Sequence, residues 1–183
     1  LLTTNLYWLS FMGKNIEICV SNMTLKSLQE QLGMSKPFRN LEEEVFLNLK
    51  VTNFGLSAKF EELFREVNLT EVTYNILRIL RGAGPEGLPC AKISQRMLSR
   101  VPDVTRLIDR LVKLDYVNRD RNEEDRRVVI QKLTEKGKAV LEKLDTKTFQ
   151  IHIDNFSFLK HEELANLNDL LNVIRNKINE KGV

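Results

Sequence analysis

Three arginines with an obvious capacity to bind anions, Arg121, Arg126 and Arg127, lie close together in the sequence. They belong to a highly charged stretch between two short runs that contain β-branched residues, and this pattern predicts a two-stranded hairpin with a cationic tip. Guanidinium groups on such a tip can bind the phosphates of a nucleic-acid backbone and enter a DNA groove. The segment therefore predicts binding of nucleic acid.

The distribution of charge agrees with this interpretation. The net charge of the chain is only +3, but residues 91–134 contain 11 Lys and Arg against 7 Asp and Glu. The rest of the chain contains 17 Lys and Arg against 18 Asp and Glu. All of the excess positive charge therefore lies in the predicted hairpin and in the segment just before it.

Two short helices are predicted to precede the hairpin. The first covers about Ala91 to Leu98 and is followed by a turn at 99–101. The second is predicted to begin at Pro102, because the missing N–H of a proline costs no hydrogen bond at the first helical position. Its apolar side consists of Val104, Leu107, Ile108, Leu111 and Leu114. Its opposite side consists of Asp103, Thr105, Arg106, Asp109, Arg110 and Lys113. Such a pair of helices followed by a hairpin is typical of a winged helix-turn-helix, whose second helix reads the major groove.

Four further helices are predicted around this reader from the spacing of apolar residues. They cover about 40–67, 71–81, 135–153 and 160–179. Thr70 and Thr134 are the expected N-caps of the second and third of these helices. Thr73 stands where a complete capping box would have Glu, so the box at Thr70 is predicted to be incomplete.

The last predicted helix carries a near-heptad apolar stripe, which is typical of a seam between helices. The stripe consists of Leu164, Leu167, Leu171, Ile174 and Ile178. No sheet is predicted to cover the long helices, so we expect them to pack together and against a second copy of the chain. A two-fold dimer of this kind would read a palindromic DNA site.

The predicted fold class is mainly α with a small β wing. We expect an N-terminal extension at 1–33, a dimerisation helix at 34–68, a winged helix-turn-helix DNA-binding domain at 69–134 and C-terminal dimerisation helices at 135–183.

The N-terminal extension leaves two interpretations open. The sequence begins with Leu, and Met12, Met23 and Met34 are all candidate start residues. Residues 1–33 are therefore expected to be a gene-start extension or a non-essential arm. The alternative is an additional helix from Thr24 to Leu32 that packs on the dimer.

The two cysteines, Cys19 and Cys90, have the spacing of neither a zinc site nor a disulfide framework, so the cytoplasm is the expected location. Cys90 is expected to be a small buried hydrophobic residue, with redox sensing as the alternative. No apolar run approaches the roughly 18 residues of a membrane span. A signal peptide is not expected, because no basic residues precede the apolar part of the first 12 residues.

The sequence contains no constellation typical of an enzyme. It has no glycine-rich phosphate loop, no nucleophile elbow and no HExxH motif. His152 and His161 have no further ligand at metal-binding spacing, so neither a metal nor another cofactor is expected. The chain is therefore predicted not to be an enzyme.

Over about residues 34–178 the sequence resembles the MarR family (multiple antibiotic resistance regulator type) of transcriptional regulators. The resemblance rests on three segments, Pro102-Asp-Val-Thr-Arg-Leu-Ile-Asp-Arg-Leu111, Asp125-Arg-Arg127 and Leu133-Thr-Glu-Lys-Gly137. The last two match the wing motif of the family, in which Asp-x-Arg is followed after several strand residues by Leu-Thr-x-x-Gly. Order, spacing and flanking helices all agree with the family.

The resemblance implies an obligate homodimer that binds double-stranded operator DNA and represses transcription until a small ligand or thiol oxidation releases it. It also implies that Asp103, Thr105 and Arg106 read the major groove and that Arg127, oriented by Asp125, enters the minor groove. The complete set of expected DNA-binding residues is Pro102, Asp103, Thr105, Arg106, Arg110, Arg121, Asp125, Arg126 and Arg127.

The resemblance further implies a cleft for a small aromatic or phenolic effector between the dimer base and each DNA-binding lobe. The candidate lining of the cleft is Phe54, Phe60, Tyr74 and Arg78, and the alternative is that these aromatic residues belong only to the core. Peroxide-sensing members carry a reactive cysteine early in the first long helix. Phe46 stands at about that position here, so this sensing chemistry is not expected.

Alternatives remain for the function and for single residues. A winged helix can also dock on another protein without binding specific DNA, but a docking wing should have an apolar tip, whereas this tip is charged. Asp125 and Arg127 could form only a solvated surface pair, which would contribute little. Arg106 could likewise be only a polar surface residue, and Arg110 could pair with Asp109 or with the backbone instead of DNA.

Overall fold

The computed structural model describes residues 9–11, 14–16, 26–98, 101–122 and 125–180. In chain order the elements are β1 (Leu9–Phe11), β2 (Lys14–Ile16), α1 (Leu28–Gln31), α2 (Leu41–Arg65), α3 (Glu71–Ala83), a 3-10 turn (Gly84–Glu86), β3 (Leu88–Pro89), α4 (Cys90–Arg96), α5 (Val104–Lys113), β4 (Val117–Arg121), β5 (Val129–Leu133), α6 (Glu135–Phe156) and α7 (His161–Glu180). The chain forms two compact units, a central unit of residues 52–155 and a terminal unit of residues 1–51 and 156–183.

The core of the central unit is built around α3. Ile76, Leu77 and Leu80 of this helix are completely buried, because apolar residues at these spacings share one helix face. The buried members of the core are Leu63, Phe64, Leu69, Tyr74, Ile76, Leu77, Leu80, Ile93, Val104, Ile108, Leu111, Tyr116, Val117, Leu141 and Leu144. They come from α2, α3, α4, α5, α6, the strand β4 and the adjoining loops. The candidate DNA-reading helix and the base of the wing are therefore seated on one core.

The wing sheet has three antiparallel strands in the order β3-β5-β4. In β3, Leu88 lies opposite Gln131 of β5. Gly87 precedes this pair with a φ of +67°, and a Cβ there would collide with the carbonyl oxygen of Gln131. Glycine is required at this position because it tolerates both the left-handed backbone and the close approach of the strand. The expected fold class, mainly α with a small β wing, is confirmed.

The predicted long helices agree with the structure to within a few residues, but two details of the helix starts were wrong. Helix α5 begins at Val104 rather than at Pro102, because the carboxylate of Asp103 takes the N-cap position and accepts a hydrogen bond from the backbone N–H of Arg106. The capping box before α3 is complete: Thr73 Oγ1 accepts a hydrogen bond from the N–H of Thr70 at 2.7 Å. A hydroxyl oxygen can therefore do here what the expected Glu would do.

The terminal unit contains a short capped helix and a long exposed one. The N–H of Ser27 donates to Glu30 Oε2 at 2.8 Å, the N–H of Glu30 donates to Ser27 Oγ at 3.2 Å, and Leu28 of α1 is buried. This helix is shorter than the alternative helix from Thr24 to Leu32, whose first residues lie outside the described part of the chain. The interpretation of residues 1–33 as an extension stays a prediction. Within α7, which is described in full, no side chain is buried.

Candidate nucleic-acid interface

The wing is a hairpin anchored at its base and exposed at its end. Strands β4 and β5 pair from Val117 opposite Leu133 to Arg121 opposite Val129. Val117 is buried in the core, whereas the side chain of Arg121 is exposed. The hairpin therefore presents a cation at the end that leads into the tip, as the sequence predicts.

The backbone at the tip is closed by hydrogen bonds on both sides of residues 123 and 124, which lie outside the described part. The N–H of Val128 donates to the carbonyl oxygen of Asp125 at 2.9 Å. The N–H of Asn122 donates to the carbonyl oxygen of Val128, also at 2.9 Å. The N–H of Arg127 donates to Asp125 Oδ1 at 2.9 Å. The resemblance predicts that Asp125 orients Arg127, and the contact between them runs through the backbone N–H of Arg127. The side chains of Arg126 and Arg127 are exposed.

The start of α5 carries the candidate base-reading residues. Pro102 lies in the exposed turn before the helix, and Asp103 caps it with a distance of 3.0 Å from its Oδ1 to the backbone nitrogen of Arg106. Thr105 Oγ1 lies 3.5 Å from Cys90 Sγ, so this hydroxyl faces the start of α4. The side chain of Arg106 is exposed in the first turn of α5. Among these residues, Arg106 is the one whose long cationic side chain is best placed to reach a base edge.

Arg110 connects α5 to the loop between α2 and α3. Its Nη2 donates to the carbonyl oxygen of Asn68 at 3.0 Å, in the loop between α2 and α3. Asn68 has a φ of +59°, a left-handed conformation that asparagine adopts more readily than most residues. Of the two alternatives to DNA contact, pairing with Asp109 or with the backbone, the structure has the backbone contact.

Sequence reasoning missed a second connection, which joins α5 to the wing. Asp109 of α5 forms an ion pair with the guanidinium of Arg119 on β4. The Nε of Arg119 also donates to Oε1 of Gln131 on β5, at 3.2 Å. Gln131 is only 3% exposed although it is polar. The signal in the sequence is a Gln that directly follows three β-branched residues in a short predicted strand, because an amide buried at such a position needs hydrogen-bond partners.

The Leu-Thr-x-x-Gly segment joins the wing to α6. Thr134 Oγ1 accepts a hydrogen bond from the N–H of Gly137 at 3.0 Å and donates to the carbonyl oxygen of Asp115 at 2.8 Å. Gly137 is buried, and a Cβ there would collide with the carbonyl oxygen of Tyr116. The threonine therefore caps α6, as predicted, and the glycine lets α6 approach the chain just before β4.

The four candidate ligand-binding residues have different surroundings. Tyr74 is buried and stacks on Phe64 with ring centroids 4.4 Å apart, and Phe60 lies half-buried against the same core. The guanidinium of exposed Arg78 lies 5.9 Å from the ring centroid of Tyr74. Phe54, in contrast, is 77% exposed. The ligand site stays a prediction, and two of its four residues contribute to the core.

The remaining candidate chemistry is limited. Cys90 is a free thiol that is half-buried against the core, and Cys19 lies outside the described residues. Within the described ranges, no group of three or more His, Cys, Asp or Glu is arranged to hold a metal ion. None of the helices described here is long and apolar enough to span a membrane.

Comparison with known proteins places this geometry in a family. Residues 69–129 match the model of the MarR family. A curated Bacillus subtilis (strain 168) protein, described as the uncharacterized HTH-type transcriptional regulator YpoP, is 30% identical over 129 residues. This match covers 67% of the present chain and 89% of YpoP.

Many solved structures are similar to the chain, and two of them show how far the likeness extends. The MarR transcription factor from Planctomyces limnophilus is 37% identical with a TM-score of 0.58, and the match covers 75% of this chain and 99% of that one. The organohalide-sensing regulator RdhR-CbdbA1625 in its 2,4-dichlorophenol-bound form is 18% identical with a TM-score of 0.70, covering 79% and 87% respectively, so this likeness concerns the fold alone. The exposed cations of α5 and the wing, the fold and the extent of the YpoP match lead to one conclusion: the chain belongs to the MarR family of winged helix-turn-helix transcriptional regulators, which bind DNA and are not enzymes.

Proposed function

We propose that this chain is a homodimeric cytoplasmic repressor that binds a palindromic operator and releases it when a small aromatic or phenolic ligand binds. The observation that carries the proposal is the joint exposure of Arg106 on α5 and of Arg126 and Arg127 at the wing tip, on elements that share one core. Specific binding needs contacts that read bases together with contacts that fix the protein on the backbone. A cationic helix and a cationic wing on one support can supply both.

Support for the dimer comes from apolar side chains that a single chain leaves exposed. On α7 the predicted stripe is exposed at four of its five positions, by 38% at Leu167, 37% at Leu171, 42% at Ile174 and 50% at Ile178. On the first half of α2, Leu41, Val45, Phe46 and Leu49 are exposed as well. Apolar patches of this extent on a soluble chain are usually covered. A second copy is the occupant that a palindromic DNA site requires.

The dimer can be tested by analytical ultracentrifugation. The double variant Leu171→Glu/Ile174→Glu should sediment as a monomer, because two charges would be buried in the seam. The matched control is Ala165→Glu/Asn176→Glu, which adds the same charges at exposed positions on the other side of α7 and should remain a dimer. If Leu171→Glu/Ile174→Glu remains a dimer, the dimer interface does not lie at the proposed seam on α7.

Support for the ligand comes from the aromatic residues near α3. Phe60 lies 4.8 Å from His152 between ring centroids, and Tyr74 stacks on Phe64. Arg78 offers a cation beside the ring of Tyr74, which would suit a phenolate or a carboxylate. A ligand bound near these residues would lower operator affinity if it changed the spacing of the two reading helices, which must match grooves about 34 Å apart.

The whole proposal is tested by selecting bound sequences from a pool of random duplexes and then transcribing a promoter that overlaps the enriched site. We expect a palindromic consensus, repression of that promoter by the protein, and relief of repression by phenol or 2,4-dichlorophenol. Failure to enrich any sequence would contradict specific DNA binding. Enrichment and repression that both phenols leave unchanged would contradict the ligand part alone.

A further inference from the structure

The recognition helix and the wing are joined by one continuous polar connection. Asp109 on α5 pairs with a terminal nitrogen of Arg119 on β4, and the Nε of Arg119 donates to Gln131 on β5. The amide nitrogen of Gln131 then donates to the carbonyl oxygen of Val129 at 3.2 Å, next to the tip of the wing. The connection therefore runs from the helix that carries Arg106 to the end of the hairpin that carries Arg127.

The guanidinium of Arg119 is the part of this connection that fixes the orientation of the wing strands relative to α5. Its donors point in fixed directions within one plane, so holding Asp109 and Gln131 together fixes the guanidinium relative to both elements. A lysine at this position would keep the charge but could not reproduce the two directed contacts. The side-chain amide of Gln131 is buried. Losing the Nε donor of Arg119 would therefore leave the buried Oε1 of Gln131 without this hydrogen bond.

We propose that Arg119 is a positioning residue: it fixes the wing relative to the recognition helix, so that the contact of Arg127 with DNA depends on it. This inference rests on the proposed binding of DNA by α5 and the wing. The positioning role of Arg119 differs from a role in attracting DNA, for which its positive charge alone would be enough. Arg121 provides the comparison, because it carries the same charge on the same face of β4 two residues further along.

The test uses the full-length protein and two duplexes, the one enriched by selection and a scrambled duplex of equal length and composition. Dissociation constants are measured by fluorescence anisotropy for Arg119→Ala, Arg119→Lys, Asp109→Asn and Arg121→Ala, and for Arg119→Ala combined with Arg127→Ala. Thermal unfolding of each variant without DNA checks that it is folded. Arg119→Lys and Asp109→Asn are conservative changes that keep the test open if Arg119→Ala does not fold.

We expect Arg119→Ala and Arg119→Lys each to weaken binding to the selected duplex about tenfold or more, with a smaller loss on the scrambled duplex, and Asp109→Asn to have the same selective effect. Arg121→Ala should weaken binding to both duplexes by similar factors, because it removes a charge but no contact to α5 or β5 like that of Arg119 within the described residues. Adding Arg127→Ala to Arg119→Ala should cause little further loss, because a displaced wing no longer places Arg127 in the groove.

Two results would overturn the inference: wild-type affinity of Arg119→Lys for the selected duplex, or fold-losses of Arg119→Ala and Arg127→Ala that multiply in the double variant. A wild-type protein that binds the two duplexes equally would instead contradict the proposed function itself. The two failures are therefore distinguishable.

Discussion

The carboxylate of Asp103 accepts a hydrogen bond from the backbone N–H of Arg106 at 3.0 Å. This bond satisfies one of the free N–H groups in the first turn of α5 and fixes where the helix begins. Arg106 is thereby held in the first turn, which is the part of a recognition helix that approaches base edges. One carboxylate oxygen of Asp103 is already engaged, so we expect capping to be the main role of this residue.

Removing the cap should destabilise the fold and the reading helix together. We expect Asp103→Ala to lower the free energy of unfolding by about 0.5–2 kcal/mol, whereas Asp103→Ser should retain most of it because serine caps well. Urea unfolding, monitored by circular dichroism, measures the free energy of unfolding of both variants. If Asp103→Ser weakens operator binding as strongly as Asp103→Ala while keeping stability, the carboxylate contacts DNA after all.

Replacing Arg106, the proposed base-reading residue of α5, should alter how well the protein discriminates between DNA sequences. Arg106→Ala should reduce the ratio of affinities for the selected and the scrambled duplex, because a base-reading arginine contributes about 1–3 kcal/mol of specificity. Lys113→Ala, which removes an exposed cation from the last turn of the same helix, is the control and should leave the ratio nearly unchanged. Equal losses of Arg106→Ala on both duplexes would mean that Arg106 only binds phosphate.

Changing the wing should lower affinity without affecting folding. Arg127→Ala should weaken operator binding by about 1–3 kcal/mol in an anisotropy titration, because the exposed tip adds little to the core. The control Arg175→Ala removes the same charge from α7 and should bind like the wild type. Unchanged affinity of Arg127→Ala would remove the wing from the mechanism.

The close approach of α6 to the chain before β4 predicts a large difference between two glycine substitutions. Gly137→Ala should cost about 1–3 kcal/mol of stability, because its methyl group would meet the carbonyl oxygen of Tyr116 and the side chain of Leu133. Gly82→Ala, in α3 with open space around the added Cβ, should stabilise the protein by up to about 1 kcal/mol. Thermal unfolding measures the stability of both variants relative to the wild type. Equal stability of Gly137→Ala and the wild type would contradict the described packing.

Local patterns predicted most of the fold. The helix α3, the N-cap at Thr134 and the hairpin formed by two runs with β-branched residues are all determined by residues close together in the sequence, and these predictions are confirmed. The start of α5 was misplaced by two residues because Pro102 and Asp103 both favour a helix N-terminus. The side chain of Asp103 decides between them by supplying the acceptor that the free N–H groups need.

The tertiary contacts of the interface could not be predicted in the same way. Arg119 and Asp109 are ten residues apart on elements of different periodicity, so no spacing rule connects them. Arg110 reaches a backbone carbonyl 42 residues earlier in the chain, at Asn68. Such contacts depend on how helices and strands are seated on the core, which the sequence pattern of a single element does not contain.

In the proposed dimer, two copies of the chain read two half-sites on the same side of a DNA duplex, and changing the spacing between the half-sites tests this arrangement. Anisotropy titrations would compare the selected operator with versions that carry five or ten extra base pairs between its halves. Five extra base pairs turn the second half-site by about half a helical turn, away from the second recognition helix. We expect this insertion to reduce the affinity of the dimer to that for a duplex with a single half-site. Undiminished affinity after the five-base-pair insertion would contradict a dimer that reads both half-sites together.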